Sequence, residues 1–333
     1  MPAGYGSVDA EVRAVRTRAG MIDLSDHAKI ELTGSERIPF LDGLVTADMK
    51  ILASGTSAYA LLLNEKSRVL GDFRVYVLPD SLVLDIEAGQ KEAILRILDK
   101  GRVSDDVEFR EIGPAGHIEV HGPNASPTIS RVLRVDVRGL AQNGFLTLPM
   151  DRHESAHIAS IPSAAGPGYV IWSPQSSLRE VWDGLSRADV TPVGRDAFEV
   201  LRIESGIPHF GADMGEDTLA LEVAPEGAIS FTKGCYVGQE IVARGTYVGQ
   251  VRRKLMGLRI DGDVPPIHRD RVSNRGREIG FVTSAAWSPT LRRVIALAIL
   301  RIDDVARSDV VLVDRGGWDL RGRLTSLPFL ETA

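Results

Sequence analysis

The segment 233–240, which reads Lys-Gly-Cys-Tyr-Val-Gly-Gln-Glu, contains the only cysteine of the 333-residue chain. The thiolate is the form of cysteine that attacks substrates and binds metals, and a neighbouring positive charge favours it. Lys233 could supply that charge to Cys235, and residues 240–243 are predicted to form a short helix whose N-terminus would lower the pKa of the thiol further. The alternative is a structural cysteine buried in a tight turn, because a free cysteine usually behaves as a small hydrophobic residue.

A second pattern with a known chemistry is the run 153–157, His-Glu-Ser-Ala-His, which matches the H-E-x-x-H motif of zinc proteases. On a helix the two histidines would share one face and could bind zinc. Residues 156–161, however, alternate as in a strand, and a strand would send His153 and His157 to different neighbourhoods. We therefore expect no permanently bound metal.

Asp72 and Arg195 are two further candidates, one anionic and one cationic. Asp72 lies among apolar residues in the strand-like run 69–78, and a carboxylate in such a place is costly unless it is paired or functional. Alternatively, the alternation of the strand places it on the solvent face. Arg195, beside Asp196 on a predicted helix, offers a planar fork suited to a carboxylate ligand. An ordinary ion pair on the helix surface is the alternative.

The composition is that of a soluble globular protein with two or three domains, since 44% of the residues are hydrophobic and 25% are charged. One cysteine excludes an internal disulfide framework and fits a reducing compartment, so we expect a cytoplasmic location. Residues 1–20 lack the apolar core of a signal peptide, and no apolar run is long enough to span a membrane. The net charge of −6 argues against a dominant nucleic-acid surface. The basic run 252–254 would alternate sides in a strand, so we expect no direct nucleic-acid binding.

The order of the predicted elements up to residue 245 indicates an α+β fold. Hydrophobic periodicity predicts strands at 28–33, 61–63, 69–78, 81–87, 107–112, 117–120, 145–148 and 169–172. It predicts helices at 36–44, 90–98, 123–133, 176–185 and 194–204. Ser35 is the expected cap of the first of these helices. Strands and helices in this order are typical of split βαβ-type units rather than of one parallel sheet.

Beyond residue 245 the pattern changes to short strands separated by turns. Strands are predicted at 253–260, 278–283, 294–301, 310–313 and 318–324, which favours a small antiparallel β-barrel or sandwich. The sequence thus divides into a region 1–245 and a C-terminal barrel 246–333. Cys235 would lie beside this junction, and pockets form preferentially between domains.

The segment 233–240 resembles the K-G-C-Y-x-G-Q-E signature of the YgfZ-type folate-binding proteins, which are relatives of the glycine cleavage T-protein, an aminomethyltransferase. Further similarities are spread along the chain. Residues 44–48 resemble the T-N-D segment of the family, and residues 69–76 resemble the strand that follows it. Residues 194–206 resemble the G-x-R-D…L-R-x-E-x-G helix, and residues 279–289 resemble the G-x-V-T-S…S-P strand of the barrel.

The resemblance implies three domains in a ring, composed of two intertwined α+β subdomains and a barrel, with tetrahydrofolate or a derivative in the central hole. By position, Asp72 matches an aspartate near the folate nitrogens that could act as a base or an electrostatic stabiliser. Arg195 matches an arginine assigned to folate contact, and Lys233, Cys235 and Tyr236 belong to the signature. The candidate catalytic residues are therefore Cys235, Lys233 and Asp72, and the candidate folate-binding residues are Asp72, Arg195, Lys233 and Tyr236.

One departure from the family pattern bears on the activity. Aminomethyltransferases carry a glutamate for the pterin ring in the strand that matches residues 169–172, and here the matching position is Val170 or a near neighbour. No acid lies between Glu154 and Glu180. The donor groups of a pterin would then lose an acceptor, which usually costs affinity or changes the orientation of the ligand.

The resemblance therefore favours a folate-binding accessory protein for the assembly or repair of iron–sulfur proteins, linked through these client proteins to tRNA modification. In that function Cys235 would be a reactive thiol or a transient ligand. The alternative is a tetrahydrofolate-dependent aminomethyl or methyl transferase in which Asp72 carries the chemistry.

Overall fold

The structure is a computed structural model that describes residues 1–150, 154–163, 165–225, 227–247, 251–305 and 309–330. The first half of the chain forms α1 (Val8–Thr17), β1 (Gly20–Asp23), β2 (Ala28–Thr33), α2 (Arg37–Leu44), β3 (Thr56–Leu63), β4 (Val69–Val77), β5 (Leu82–Ile86), α3 (Lys91–Gly101), β6 (Glu108–Ile112), β7 (Ala115–His121), α4 (Ala125–Leu133), β8 (Phe145–Pro149) and β9 (Ser155–Ile161). The second half forms β10 (Gly168–Pro174), α5 (Gln175–Arg187), β11 (Thr191–Val193), α6 (Arg195–Glu204), α7 (Ala220–Val223), α8 (Gln239–Tyr247), β12 (Arg253–Ile260), β13 (Arg271–Asn274), β14 (Arg277–Ser288), β15 (Arg293–Arg301), α9 (Ile302–Val305), β16 (Val310–Asp314) and β17 (Asp319–Thr325).

The first sheet is antiparallel and has the strand order β3-β4-β5-β2-β6. One face carries apolar side chains such as Phe73 and Val75, which pack with Leu41 of α2 and Leu98 of α3. Each fully buried side chain of this kind contributes about 1.5–3 kcal/mol. Since successive side chains of a strand alternate between faces, Asp72 points to the opposite face of the sheet.

The second sheet has the order β11-β1-β7-β10-β9-β8, in which only the β1–β11 pair is parallel. Helices α4 and α5 cover one of its faces through residues such as Ile129 and Leu185. Strand β1 of the second sheet precedes all strands of the first sheet in the sequence, and β7 follows them. The first sheet is therefore inserted between two strands of the second. The other face of the second sheet meets the first sheet in a shared cluster that includes Tyr76, Val170 and Trp172.

Strands β12 to β17 close into a six-stranded antiparallel barrel. Its interior is filled by aliphatic side chains, and its outer wall packs through Ile295 and Leu297 against Leu61 of the first sheet. A buried polar contact adds to this packing. Arg202 of α6 donates to Asp213 at 2.7 Å and to Ser284 of β14 at 2.8 Å.

The α+β class and the C-terminal barrel are confirmed, but several local predictions are wrong. The barrel has a sixth strand, β13, which is only four residues long and has an irregular register at Val272, so its alternation gives a weak signal. Ser35 does not cap α2. Its hydroxyl donates instead to Asp106 at 2.6 Å, and Glu36 precedes the helix without a side-chain cap.

Two further predictions from the sequence concern membrane-spanning helices and the domain boundary. Among the described helices, none has the length and apolar character that a membrane crossing needs. The division into residues 1–245 and 246–333 stays a prediction.

Candidate functional site

A row of polar side chains crosses the face of the first sheet that meets the second sheet. Cross-strand pairing aligns Tyr59 with Arg74, Arg74 with Asp85, and Asp85 with Lys29. Paired residues of neighbouring strands point to the same side, so these four side chains share one face. We call this surface the inner face. Arg74 donates across it to the side chain of Asn143, which precedes β8 of the second sheet.

The centre of the inner face is a buried cluster of charges. The ammonium group of Lys29 lies 2.7 Å from a carboxylate oxygen of Asp85 and 3.1 Å from Nδ1 of His117 on β7. Burial lowers the pKa of Lys29 in spite of the opposing charge of Asp85. Burial would by itself raise the pKa of Asp85, but the charges of Lys29 and His117 hold it well below its usual range. The cluster therefore fastens the two sheets to each other by paired charges.

Lys29 also bears on metal binding. His27, Asp85 and His117 bring three atoms of metal-ligand type within 4.8 Å of one another. The ammonium group of Lys29 already contacts two of these three side chains. A cation bound by all three would have to displace it, so we assign the cluster a structural role.

Asp72 lies on the inner face two residues before Arg74, at the edge of the charge cluster. Tyr59 donates to one of its carboxylate oxygens at 2.7 Å, and the amide of Gln90 donates to the other at 2.9 Å. The backbone N–H of Asp72 donates back to Gln90 at 3.1 Å. Burial raises the pKa of Asp72, and the two side-chain donors oppose that shift. The alternative that Asp72 lies on the solvent face is therefore wrong, because its carboxylate is half-buried and hydrogen-bonded at both oxygens.

An ion pair lies beside Asp72 at the solvent boundary. Glu87 follows β5 on the side of the inner face, and its carboxylate lies 3.1 Å from Nε2 of His209, in the chain segment after α6. Both side chains are partly open to solvent, with exposed fractions of 41% and 44%. The hydrogen bond between them lowers the pKa of Glu87 and raises the pKa of His209. The inner face thus runs from a buried charge cluster through Asp72 to an accessible ion pair.

The segment around Cys235 is anchored at a different place. The ammonium group of Lys233 donates to the backbone carbonyls of Asp42, Val45 and Ala47 at 2.6–3.0 Å and lies 3.0 Å from the Asp42 carboxylate. Only 1% of the Lys233 side chain is exposed. Its charge is therefore compensated at the end of α2, and these contacts hold the segment in place. A role of Lys233 in activating the thiol stays a prediction.

Neighbouring residues of the segment strengthen this anchor. Tyr236 is buried between the first sheet and the barrel, and burial raises its pKa to about 12. Gly238 adopts a φ of +84°, and a Cβ at this position would lie 2.5 Å from the carbonyl oxygen of Asn64. Glycine is needed here because the backbone approaches the β3–β4 turn closely.

Cys235 itself is exposed, four residues before the first residue of α8. The alternative of a buried structural cysteine is therefore wrong. The predicted short helix is present, although it begins at Gln239 and extends to Tyr247.

Arg195 is the first residue of α6 and belongs neither to the inner face nor to the segment around Cys235. Its side chain is 66% exposed, and its Nε lies 3.8 Å from the carboxylate of Asp196, so the surface ion pair is present. The backbone N–H groups of Arg195 and Asp196 donate to the carbonyls of Pro2 and Ala3. A folate contact of Arg195 stays a prediction.

The zinc-protease pattern does not form a helix in its described part. His153 lies outside the described residues, but residues from Ser155 onward form β9, as the alternation predicts. His157 stacks on Trp172 with ring centroids 3.8 Å apart and contacts the hydroxyl of Thr147 at 3.0 Å. Glu154 accepts hydrogen bonds from Ser176 and Ser177 at the start of α5.

Comparisons with known proteins show the family of the chain. Residues 1–233 match the GCVT N-terminal domain, and residues 253–331 match the glycine cleavage T-protein C-terminal barrel domain. The chain therefore belongs to the glycine cleavage T-protein family.

Its relatives cover nearly the whole chain. An aminomethyltransferase of Thermosipho melanesiensis is 30% identical over 336 residues, which are 99% of this chain and 90% of that protein. One of Geobacillus kaustophilus is 28% identical over 344 residues, covering 100% and 93% of the two chains. The crystal structure of the glycine cleavage system aminomethyltransferase T from Bartonella henselae superposes with a TM-score of 0.86 at 22% identity, over 98% of this chain and 90% of that one. At that identity the superposition shows the fold.

We predict that Lys233 and Lys50 differ sharply in importance although both contact Asp42. Lys50 is 58% exposed, whereas Lys233 is buried. Replacing Lys233 by methionine leaves Asp42 and three carbonyls without their buried partner, so the free energy of unfolding should fall by about 3 kcal/mol. Amide hydrogen exchange in residues 230–238 should accelerate. Lys50→Met is the matched control and should leave both measurements nearly unchanged. Equal effects of the two substitutions would contradict the anchoring role of Lys233.

We also predict a pH-dependent loss of stability at His157. Burial lowers the pKa of His157 to about 4 in the folded protein. In the unfolded chain its pKa is about 6.5. Between these two values the unfolded chain binds a proton at His157 and the folded protein does not. Stability should therefore fall as the pH drops from about 7.5 to about 5, by about 2 kcal/mol from this residue. Denaturant unfolding at the two pH values measures it. His157→Phe, which keeps an aromatic ring on Trp172, should lack this component, and an unchanged pH dependence in that variant would refute the assignment.

Proposed function

We propose that the chain binds a reduced folate, tetrahydrofolate or a one-carbon derivative of it, against the inner face beside Asp72. The proposal depends chiefly on the environment of Asp72. Its carboxylate is half-buried, and Tyr59 and Gln90 each donate a hydrogen bond to one of its two oxygens. A group held in this way is preorganised to contact a ligand nitrogen without rearranging. The nearby ion pair of Glu87 and His209 marks the solvent side of the same surface.

The chemistry that this position supports best is the transfer of a one-carbon unit, aminomethyl or methyl, to tetrahydrofolate. A carboxylate whose pKa is raised by burial is a stronger base than a carboxylate in water. Asp72 would act as the base, or would stabilise positive charge on the reacting nitrogen. The relatives reported above are named aminomethyltransferases, which favours this function.

A second candidate is a YgfZ-type accessory protein for iron–sulfur proteins, and one specific observation favours it. Cys235 is exposed on a segment that Lys233 and Tyr236 hold in place. A thiol that is both accessible and positioned could react with a partner protein or bind a cluster transiently. In this function folate would bind at Asp72 while Cys235 meets the client protein.

We expect two substitutions to separate these functions. Asp72→Asn should lower the rate of one-carbon transfer to tetrahydrofolate by about 100-fold or more, because general acid–base groups contribute that much. Cys235→Ser should leave folate affinity and transfer unchanged, but in the accessory function it should abolish support of iron–sulfur enzymes in a deletion strain. Calorimetric titration with tetrahydrofolate and its formyl and methylene forms measures binding, and turnover assays with aminomethyl and methyl donors measure transfer.

Asp80→Asn, an exposed aspartate in the turn after β4, is the control for the first substitution. Absence of folate binding to the unaltered protein would refute the proposal as a whole. Binding without any transfer, together with loss of function in Cys235→Ser, would replace the transferase by the accessory protein.

A further inference from the structure

A chain of side-chain contacts leads from solvent to Asp72. Nε2 of His209 contacts Glu87, the carboxylate of Glu87 lies 3.5 Å from the amide nitrogen of Gln90, and that nitrogen donates to Asp72 at 2.9 Å. Gln90 is itself buried, and its carbonyl oxygen accepts the backbone N–H of Asp72. Both ends of the amide are therefore occupied, and Gln90 cannot turn over without losing a hydrogen bond.

We propose that the ion pair of Glu87 and His209 sets the protonation state of Asp72, and thereby the pH range in which Asp72 engages a reduced folate. This inference rests on the proposed function of Asp72. Glu87 and His209 are positioning residues. They act on Asp72 through charge and through Gln90.

The geometry gives the two residues opposite effects on Asp72. Glu87 is negative and shares the amide group of Gln90 with Asp72, so its charge disfavours a second negative charge nearby. His209 carries a positive charge when it is protonated and lies on the far side of Glu87. The charge of Glu87 raises the pKa of Asp72, and the charge of His209 lowers it.

The remaining charged and titratable groups on this face are distributed over several elements. Tyr59 of β3 donates to Asp72, and Arg74 of β4 lies in the next row of the inner face. His27 lies on the side of Glu87 and lowers its pKa. From α6, Arg202 lowers the pKa of His209 and Glu199 raises it. These groups are present in the unaltered protein and in the Glu87 and His209 variants alike, so their effect on the pKa of Asp72 cancels when the proteins are compared.

The direction in which each substitution shifts the pKa of Asp72 follows from the charge that the remaining member of the ion pair carries. In His209→Gln the charge of Glu87 is no longer compensated, so Asp72 should bind its proton more tightly. In Glu87→Gln the raising charge is gone while protonated His209 remains, so Asp72 should release its proton more easily. Each shift should be about half a pH unit, since the groups are partly open to solvent, where charges are screened.

Titration of the Asp72 carboxyl by NMR tests the inference without any ligand. The protein is prepared with isotope-labelled aspartate, and the Asp72 signal is identified by its loss in Asp72→Asn. The midpoint should move up in His209→Gln and down in Glu87→Gln. His268→Gln is the control, since His268 is an exposed histidine on the barrel that contacts the carbonyl of Thr283, and it should leave the midpoint unchanged.

Opposite shifts in the two variants would support the inference, because general damage to the fold would not move the midpoint in two directions. Shifts in the same direction, or no shift in either variant, would overturn it. The pH dependence of tetrahydrofolate affinity should then show the same two displacements. Failure of the unaltered protein to bind tetrahydrofolate would refute the proposed function but would leave the result of the carboxyl titration in place.

Discussion

Lys29, buried between the two sheets, determines how the first sheet packs on the second. Its side chain is fully buried, and a buried cation is tolerated only where opposite charge and hydrogen bonds replace water. Asp85 of the same sheet supplies the opposite charge, and His117 of the second sheet contacts both Lys29 and Asp85. Because the partners come from both sheets, the sheets have to meet in one register. The inner face runs from this junction of the two sheets to Asp72, whose cross-strand partner Leu61 packs against the barrel.

The candidate residues of the sequence therefore divide into separate structural groups. Asp72 belongs to the inner face, where Tyr59 and Gln90 fix it. Cys235 belongs to a segment that Lys233 fastens to the end of α2, and the thiol of that segment is accessible. Because Asp72 and Cys235 lie in separate parts of the structure, the same chain can be assigned two different candidate functions. An acid–base group and an exposed thiol need not take part in the same reaction.

The elements could be predicted from the sequence where the signal is local. The alternation of residues 28–33 predicts β2 with its observed bounds, because one face of the strand is apolar and the other polar. Asp72 stands out in the sequence because a carboxylate in an apolar strand is unusual. Glu87 and His209 were missed, since 122 residues separate them and only the folded chain brings them together. The partner of Lys233 was missed for the same reason, as Asp42 lies 191 residues earlier. Local periodicity carries no information on such contacts.

A crystal structure of the protein with tetrahydrofolate would show whether a reduced folate binds against the inner face in contact with Asp72. We expect a ring nitrogen of the ligand within hydrogen-bonding distance of the Asp72 carboxylate, with Glu87 and His209 at the solvent side of the ligand. Tetrahydrofolate bound elsewhere, with no ligand atom near Asp72, would refute binding at the inner face.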